Sequence, residues 1–191
     1  MITLAQAIAA FDPRKADEKT IQDQFWTIAE VALYGGYFLV NEETHIYPVE
    51  IEFYLYVEDA PKGSWQQDAN MYHKDKGVPY FPKEGSLYPH RSGVDFTFEN
   101  EEQKYRASFL IRSYRYEANG EIIKNPTYLW EDLFGYNSIS GNGLTISWVD
   151  APEGAKPIRR QDKRINLKDG KGKADEKPWR FIKAEKEDSR V

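Results

Sequence analysis

A chain of 191 residues is long enough to bury the core of one ordinary domain. Having no cysteine, it holds no disulfide, no thiolate metal site and no thiol nucleophile. Its formal net charge of −5 argues against a broad basic face for nucleic acid, but the charge is uneven. Between Lys156 and Lys173 lie eight basic and two acidic residues, leaving 18 basic and 29 acidic elsewhere, a balance of −11.

The elements read as follows in chain order. Thr3-Leu4-Ala5-Gln6 has the form of a capping box and predicts a short helix ending before Asp12-Pro13. Ile21, Phe25, Ile28, Ala29, Ala32 and Leu33 recur at helical spacing and predict a second helix, stopped at Gly35-Gly36. Tyr37 to Val40, the turn Asn41-Glu42-Glu43-Thr44 and His45 to Val57 form an expected hairpin. In its return strand Val49, Ile51, Phe53, Leu55 and Val57 alternate with Glu50, Glu52, Tyr54, Tyr56 and Glu58.

Residues 59 to 85 read as a long loop with Tyr72, Tyr80 and Phe81 as its apolar anchors. Strands are expected at Val94 to Phe98 and Tyr105 to Tyr116, and Asn119-Gly120 is a hairpin signal. Thr127 to Phe134 predicts a short helix closed by Gly135; Leu144 to Val149 and Trp179 to Lys183 read as strands. The basic run from Lys156 to Lys173 has the pattern of a solvated loop. Helices followed by strands indicate an α+β fold, with N-terminal helices packed on a curved, mostly antiparallel β-sheet. One domain over residues 1–183 is expected, with a charged tail at 184–191.

Location and partners follow from what the chain lacks. No apolar run approaches the roughly 20 residues of a bilayer span, and Met1 to Gln6 lack the basic and apolar regions of a secretory leader. A cytoplasmic location with no membrane partner is expected, and no obligate protein partner is evident. His45, His73 and His90 have no ligand spacing, so no metal is expected, and no cofactor is implied. Gly141-Asn142-Gly143 is too short for a phosphate loop, and no serine sits in a nucleophile elbow.

Chemistry concentrates in Glu50-Ile51-Glu52-Phe53-Tyr54. Residues two apart on a strand share a face at roughly 6–7 Å, which sets Glu52 between Glu50 and Tyr54. A carboxylate flanked by a tyrosine and covered by a long loop is desolvated. Its raised pKa suits a general base that activates water. The competing reading is an exposed strand face whose glutamates pair with lysines. The 13 tyrosines suit either a β-rich core or a pocket that stacks on sugars or bases.

The run from Val49 to Asp59 resembles the strand of the alkyladenine (3-methyladenine) DNA glycosylase family that bears its catalytic glutamate. Further similarities follow in the same order. They are Ala29 to Val40, Gly85-Ser86-Leu87-Tyr88, Phe109-Leu110-Ile111-Arg112, Arg164-Ile165, and Lys177-Pro178-Trp179-Arg180-Phe181. Tyr114 to Lys163 has no counterpart.

The resemblance implies hydrolysis of the N-glycosidic bond of a flipped modified purine in DNA during base excision repair. Glu52 would deprotonate the water, which Arg112 and a backbone carbonyl near Ile165 would hold. Tyr54 would stack on the base, His90 falls at a second stacking position, and Tyr88 belongs to a matched motif. Phosphate contacts are expected from the basic run at Arg159, Arg160, Lys163 and Arg164. The partner would be DNA, including mismatched or single-stranded DNA, or a nucleobase or nucleoside.

The chain departs from the pattern in four places. Phe53 replaces an alanine, and Ser92 stands where a tyrosine wedges into the duplex. No histidine follows Asp59 closely, His73 being the nearest substitute, and Asn166 replaces a glycine. Two other readings stay open: a non-catalytic relative that binds a nucleobase in a tyrosine-lined pocket, and an aromatic-rich carbohydrate-binding domain.

Overall fold

The computed structural model describes residues 2–71, 74, 78–118, 120–135, 145–151, 158–165, 167 and 176–183. Helix α1 (Leu4–Ala9) opens on the expected capping box: the Thr3 side chain accepts from the Gln6 N–H, and the Gln6 side chain accepts from the Thr3 N–H. Helix α2 (Glu18–Tyr34) is capped by Asp17, whose carboxylate accepts from the Thr20 N–H. Its last turn closes on Gly35, and strand β1 (Gly36–Val40) begins at once.

Gly36 is required by close approach. A Cβ there would lie 2.0 Å from the carbonyl oxygen of Val149 on the neighbouring strand β6 (Ile146–Asp150). The β1 hairpin turns through Asn41 and Glu42, both at positive φ, into β2 (Thr44–Val57). Then come β3 (Ser86–His90), β4 (Gly93–Thr97), β5 (Tyr105–Arg115) and α3 (Pro126–Trp130). A π-helical turn, Glu131–Gly135, continues α3; after β6 come β7 (Ile158–Asp162) and β8 (Arg180–Lys183).

The fold is α+β, with helices against a curled antiparallel sheet of order β3-β4-β5-β2-β1-β6. Strand β8 joins β2 at Glu50–Glu52, and β7 pairs with β8. One sheet face is apolar and packs on α1 and α2. Phe53 stacks on Phe25 of α2 at 4.3 Å and meets Phe98, Phe109 and Phe181 edge-on. Each such ring, fully buried, contributes about 1.5–3 kcal/mol of transfer free energy. Phe53 therefore belongs to the core and points away from the face that carries Glu52.

Four expectations are corrected. The alternation of β2 is not uniform: Pro48 pairs with Tyr114 and Glu50 with Ser113, leaving Val49 as an extra residue that flips the side-chain parity. Ile46, Pro48 and Ile51 are thus buried on the core side of the shift, while Tyr47 and Glu50 are half-buried beside it. Strand β3 was not expected; its Leu87 and Pro89 alternate too briefly to stand out. The long loop is also anchored by Met71, buried, and by Trp65, packed on the core, beyond the expected Tyr80 and Phe81; Tyr72 lies outside the described residues. The start of the basic run is strand β7, its charged residues tolerated because it is the outermost strand beside β8. The Asn119-Gly120 signal, Leu144, His73 and the 184–191 tail lie at least partly outside the described residues.

Candidate functional site

Register carries the site across the sheet. Cross-strand partners share a face, so Glu52 of β2, Leu110 of β5, Asp95 of β4 and Tyr88 of β3 form one row, and Arg180 of β8 extends it on the far side. With strands about 4.8 Å apart, Glu52 and Tyr88 stand three spacings, roughly 14 Å, from each other. The next row holds Tyr54, Ser108, Thr97 and Ser86. This is the polar face, opposite the helices.

Glu52 is completely buried. Its Oε1 accepts from the Ile165 N–H at 2.9 Å; its Oε2 accepts from the Tyr54 hydroxyl at 3.2 Å and lies 3.5 Å from Arg112 Nη1. Burial raises the Glu52 pKa, and Arg112, the Ile165 N–H, Tyr54 and Arg164 oppose the rise without cancelling it. Burial, reinforced by Glu52, pushes the Tyr54 phenol well up, so its hydroxyl remains a hydrogen-bond donor at neutral pH.

Arg112 reaches Glu52 because of a second register shift. Glu50 pairs with Ser113 and Ile51 with Ile111, so Arg112 is an extra residue on β5. Its Nε lies 4.0 Å from Glu50 Oε1, which also accepts from Arg180 Nε at 2.5 Å.

A buried ion pair covers this centre. The Arg164 guanidinium pairs with Asp68 and donates to the Phe53 carbonyl at 3.0 Å. It also stands over the rings of Tyr54 (4.7 Å) and Trp179 (5.4 Å). Asp68 is fixed by its own N–H donating to the Leu55 carbonyl at 3.0 Å. The loop and the segment after β7 are thereby joined over the polar face, and the residue after Arg164 delivers its N–H to Glu52. This corrects the expectation that Arg164 contacts phosphate: its charge is committed to the interior. Arg160 is exposed and pairs with Asp162 at 2.5 Å, and Lys163 is exposed. The backbone of Arg159 lies in β7, and its side chain is outside the described residues.

The strand β3 end forms a second polar cluster. His90 is 8% exposed; the Ser92 N–H donates to its Nδ1 at 3.2 Å, so Nε2 carries the proton and donates to Asp95 at 3.1 Å. Ser108 donates to the other Asp95 oxygen at 2.9 Å. Both His90 nitrogens thus serve the fold. The ring of Tyr88, stacked on His90 at 5.9 Å, is half-buried and the more accessible of the two.

The structure brings Glu52, Tyr54 and Arg112 together and sets Tyr88 and His90 further out along the sheet. Asp68, Asp95, Ser108 and Arg180 were missed by sequence reasoning. For Asp95 and Ser108 a signal existed, since each is a polar residue at alternating positions of an otherwise apolar strand. Asp68 had none, because its role depends on a partner 96 positions away. Among the described residues no group of three His, Asp or Glu could hold a metal, and no helix is long and apolar enough to cross a membrane. No family model, curated protein or solved structure matches the chain.

Proposed function

We propose that the chain hydrolyses the N-glycosidic bond of a modified purine, with Glu52 as the general base. The supporting observation is a water-excluded carboxylate with a raised pKa, placed 3.5 Å from an arginine beneath a buried tyrosine. Glu52 takes a proton from water, the hydroxide attacks the sugar C1′, and the C1′–N bond breaks with its electron pair leaving on the base. Arg112 orients the water and holds the carboxylate; Tyr54, bonded to Glu52, is the ring beside the purine, and Tyr88, three strands away, is too distant to stack on the same base. The resemblance of Val49 to Asp59 to the alkyladenine glycosylase strand supports DNA as the carrier and base excision repair as the setting, and the expectation of a cytoplasmic location rests on the sequence pattern alone. Because a glycosidic bond inside a duplex cannot be reached, the nucleotide must be extruded first.

A second reading is favoured by one observation: each Glu52 oxygen already has a partner and none of its surface meets solvent. On that reading the face binds a nucleobase without catalysis. The experiment is base release from DNA containing 3-methyladenine, using wild type and Glu52→Gln. The substitution keeps the Ile165 contact and removes the base. General-base loss lowers the rate by about 10²–10⁴-fold. Release that is equal in both proteins removes Glu52 from the mechanism. Tight nucleobase binding without release by wild type selects the second reading.

A further inference from the structure

A cleft of about 630 Å³ opens elsewhere on the molecule, and neither Glu52, Tyr54 nor Arg112 lines it. Its position follows from the curl of the sheet. Strands β3 and β6 end the strand order, and both border the cleft, through Ser86 and Leu87 on one side and Ile146 to Trp148 with Asp150 on the other. The α1 start, Leu4 and Ala5, closes one end.

Aromatic rings make the floor. Phe38 is 5.0 Å from Trp148, edge to face, and 5.6 Å from Phe96, which stacks on Phe109. The walls are fixed. Trp148 Nε1 donates to Asp150 Oδ1 at 2.9 Å, which sets the indole plane. Gly85, at φ +109, lies so close to the Phe96 ring that a Cβ would come within 2.1 Å of it. The volume is that of a small-molecule site, and fixed walls reduce the ordering a ligand would require.

The charge of the lining decides what fits. Glu84 and Asp150 are both exposed carboxylates at the cleft, Ser86 and Ser147 add hydroxyls, and among the described residues none of the lining is basic. An anion would face two carboxylates, with no cation among the described lining residues to receive it. A protonated amine would gain both carboxylates and the Trp148 ring face.

We infer that this cleft binds a small organic cation: a protonated amine carried on a flat apolar body of about one ring. The apolar body lies on Phe38, Phe96 and Trp148, and the ammonium group lies between Glu84 and Asp150. The site is independent of the glycosidic chemistry proposed for Glu52 and stands if that reading fails.

The test uses two probes of similar shape and opposite charge, phenethylamine and 3-phenylpropionate, titrated into the full chain. Binding is read by tryptophan fluorescence, with Trp148→Phe assigning the signal. Phenethylamine is expected to bind saturably and 3-phenylpropionate at least about tenfold more weakly, each lost carboxylate being worth about fivefold. Glu84→Gln and Asp150→Asn alter exposed side chains and keep their shape, and the amide oxygen introduced by Asp150→Asn still accepts from Trp148. Each is expected to weaken phenethylamine about fivefold while leaving the melting temperature unchanged. Equal binding of both probes, saturable binding of neither, or indifference to both substitutions overturns the inference. So does binding of an extended lysine–phenylalanine peptide where phenethylamine fails, because the cleft is then a strand-docking edge.

Discussion

Glu52 carries an ionisable carboxyl where water is excluded, and desolvation raises its pKa more than its partners lower it. The folded state therefore holds the Glu52 proton more tightly than the unfolded chain does. The stability tied to that proton is complete below the ordinary carboxylate range and is lost as pH rises through the raised folded value. Glu52→Gln, always neutral, escapes that loss. It should melt roughly 1–4 °C above wild type at pH 7, and the gap should close as pH falls below the carboxylate range. Thermal melts of both proteins from about pH 3.5 to 8, a span that brackets the ordinary carboxylate value, check this, and a gap that widens in acid refutes it. A carboxylate kept charged at a cost in stability is what a catalytic site requires and a structural one does not. Asp68 matters through its partner. Its removal strands the Arg164 guanidinium in the interior, so Asp68→Ala should destabilise by about 3–5 kcal/mol in urea unfolding. A loss below about 1 kcal/mol would mean that the pair carries little of the cover over Glu52.

At the scale of elements, β2 organises the molecule because its edges serve several partners along one length. It pairs with β1 at Thr44–Ile46, with β5 from Tyr47 to Val57 and with β8 at Glu50–Glu52. The two register shifts fall at Val49 and Arg112, beside the glutamates, and re-aim side chains there. Strand β7 supplies the remaining test. Its exposed Arg160, with Arg159 and Lys163, is what remains of the four expected phosphate contacts once Arg164 is assigned to the interior. If DNA binds there, replacing these three by serine should lower the salt dependence of affinity by about two to three counterions. Fluorescence anisotropy of a labelled oligonucleotide between 50 and 200 mM salt, roughly the range over which such contacts are lost, measures the slope. An unchanged slope places the contact elsewhere and leaves Arg160 to its ion pair with Asp162.

For the whole molecule, the proposed reaction depends on how an extruded nucleotide is replaced in its stack. The turn between β3 and β4 carries Arg91 and Ser92, and the Ser92 backbone is held by His90. No aromatic ring stands at that turn to fill a vacated stack. Extrusion costs a few kcal/mol and least for unpaired bases. Release of one modified purine should therefore be fastest from single strands, slower from mismatches and slowest from paired duplex. Equal rates in the three contexts would require a wedge supplied by another residue.

The local chemistry of the sequence determined much of this protein. Thr3-Leu4-Ala5-Gln6 encodes its capping box within four residues. The spacing from Ile21 to Leu33 encodes α2, and the alternation from Val49 to Val57 encodes the return strand of the central hairpin, because these patterns are periodic over their own length. Glu52 beside Tyr54 was legible for the same reason: two residues on one strand share a face whatever else the chain does. Tertiary structure decided the rest. Val49 and Arg112 became extra residues only through pairing between β2 and β5, and β3 and β7 are strands because partners hold them. Arg164 reads as one more member of a basic run until Asp68, 96 positions earlier, removes it from solvent. The cleft under Trp148 joins the two ends of the strand order, which are 60 positions apart in sequence at Leu87 and Ser147. Local pattern reports periodicity, but burial, ion pairing and shape are properties of segments brought together from a distance, and no window of sequence contains both halves of such a contact.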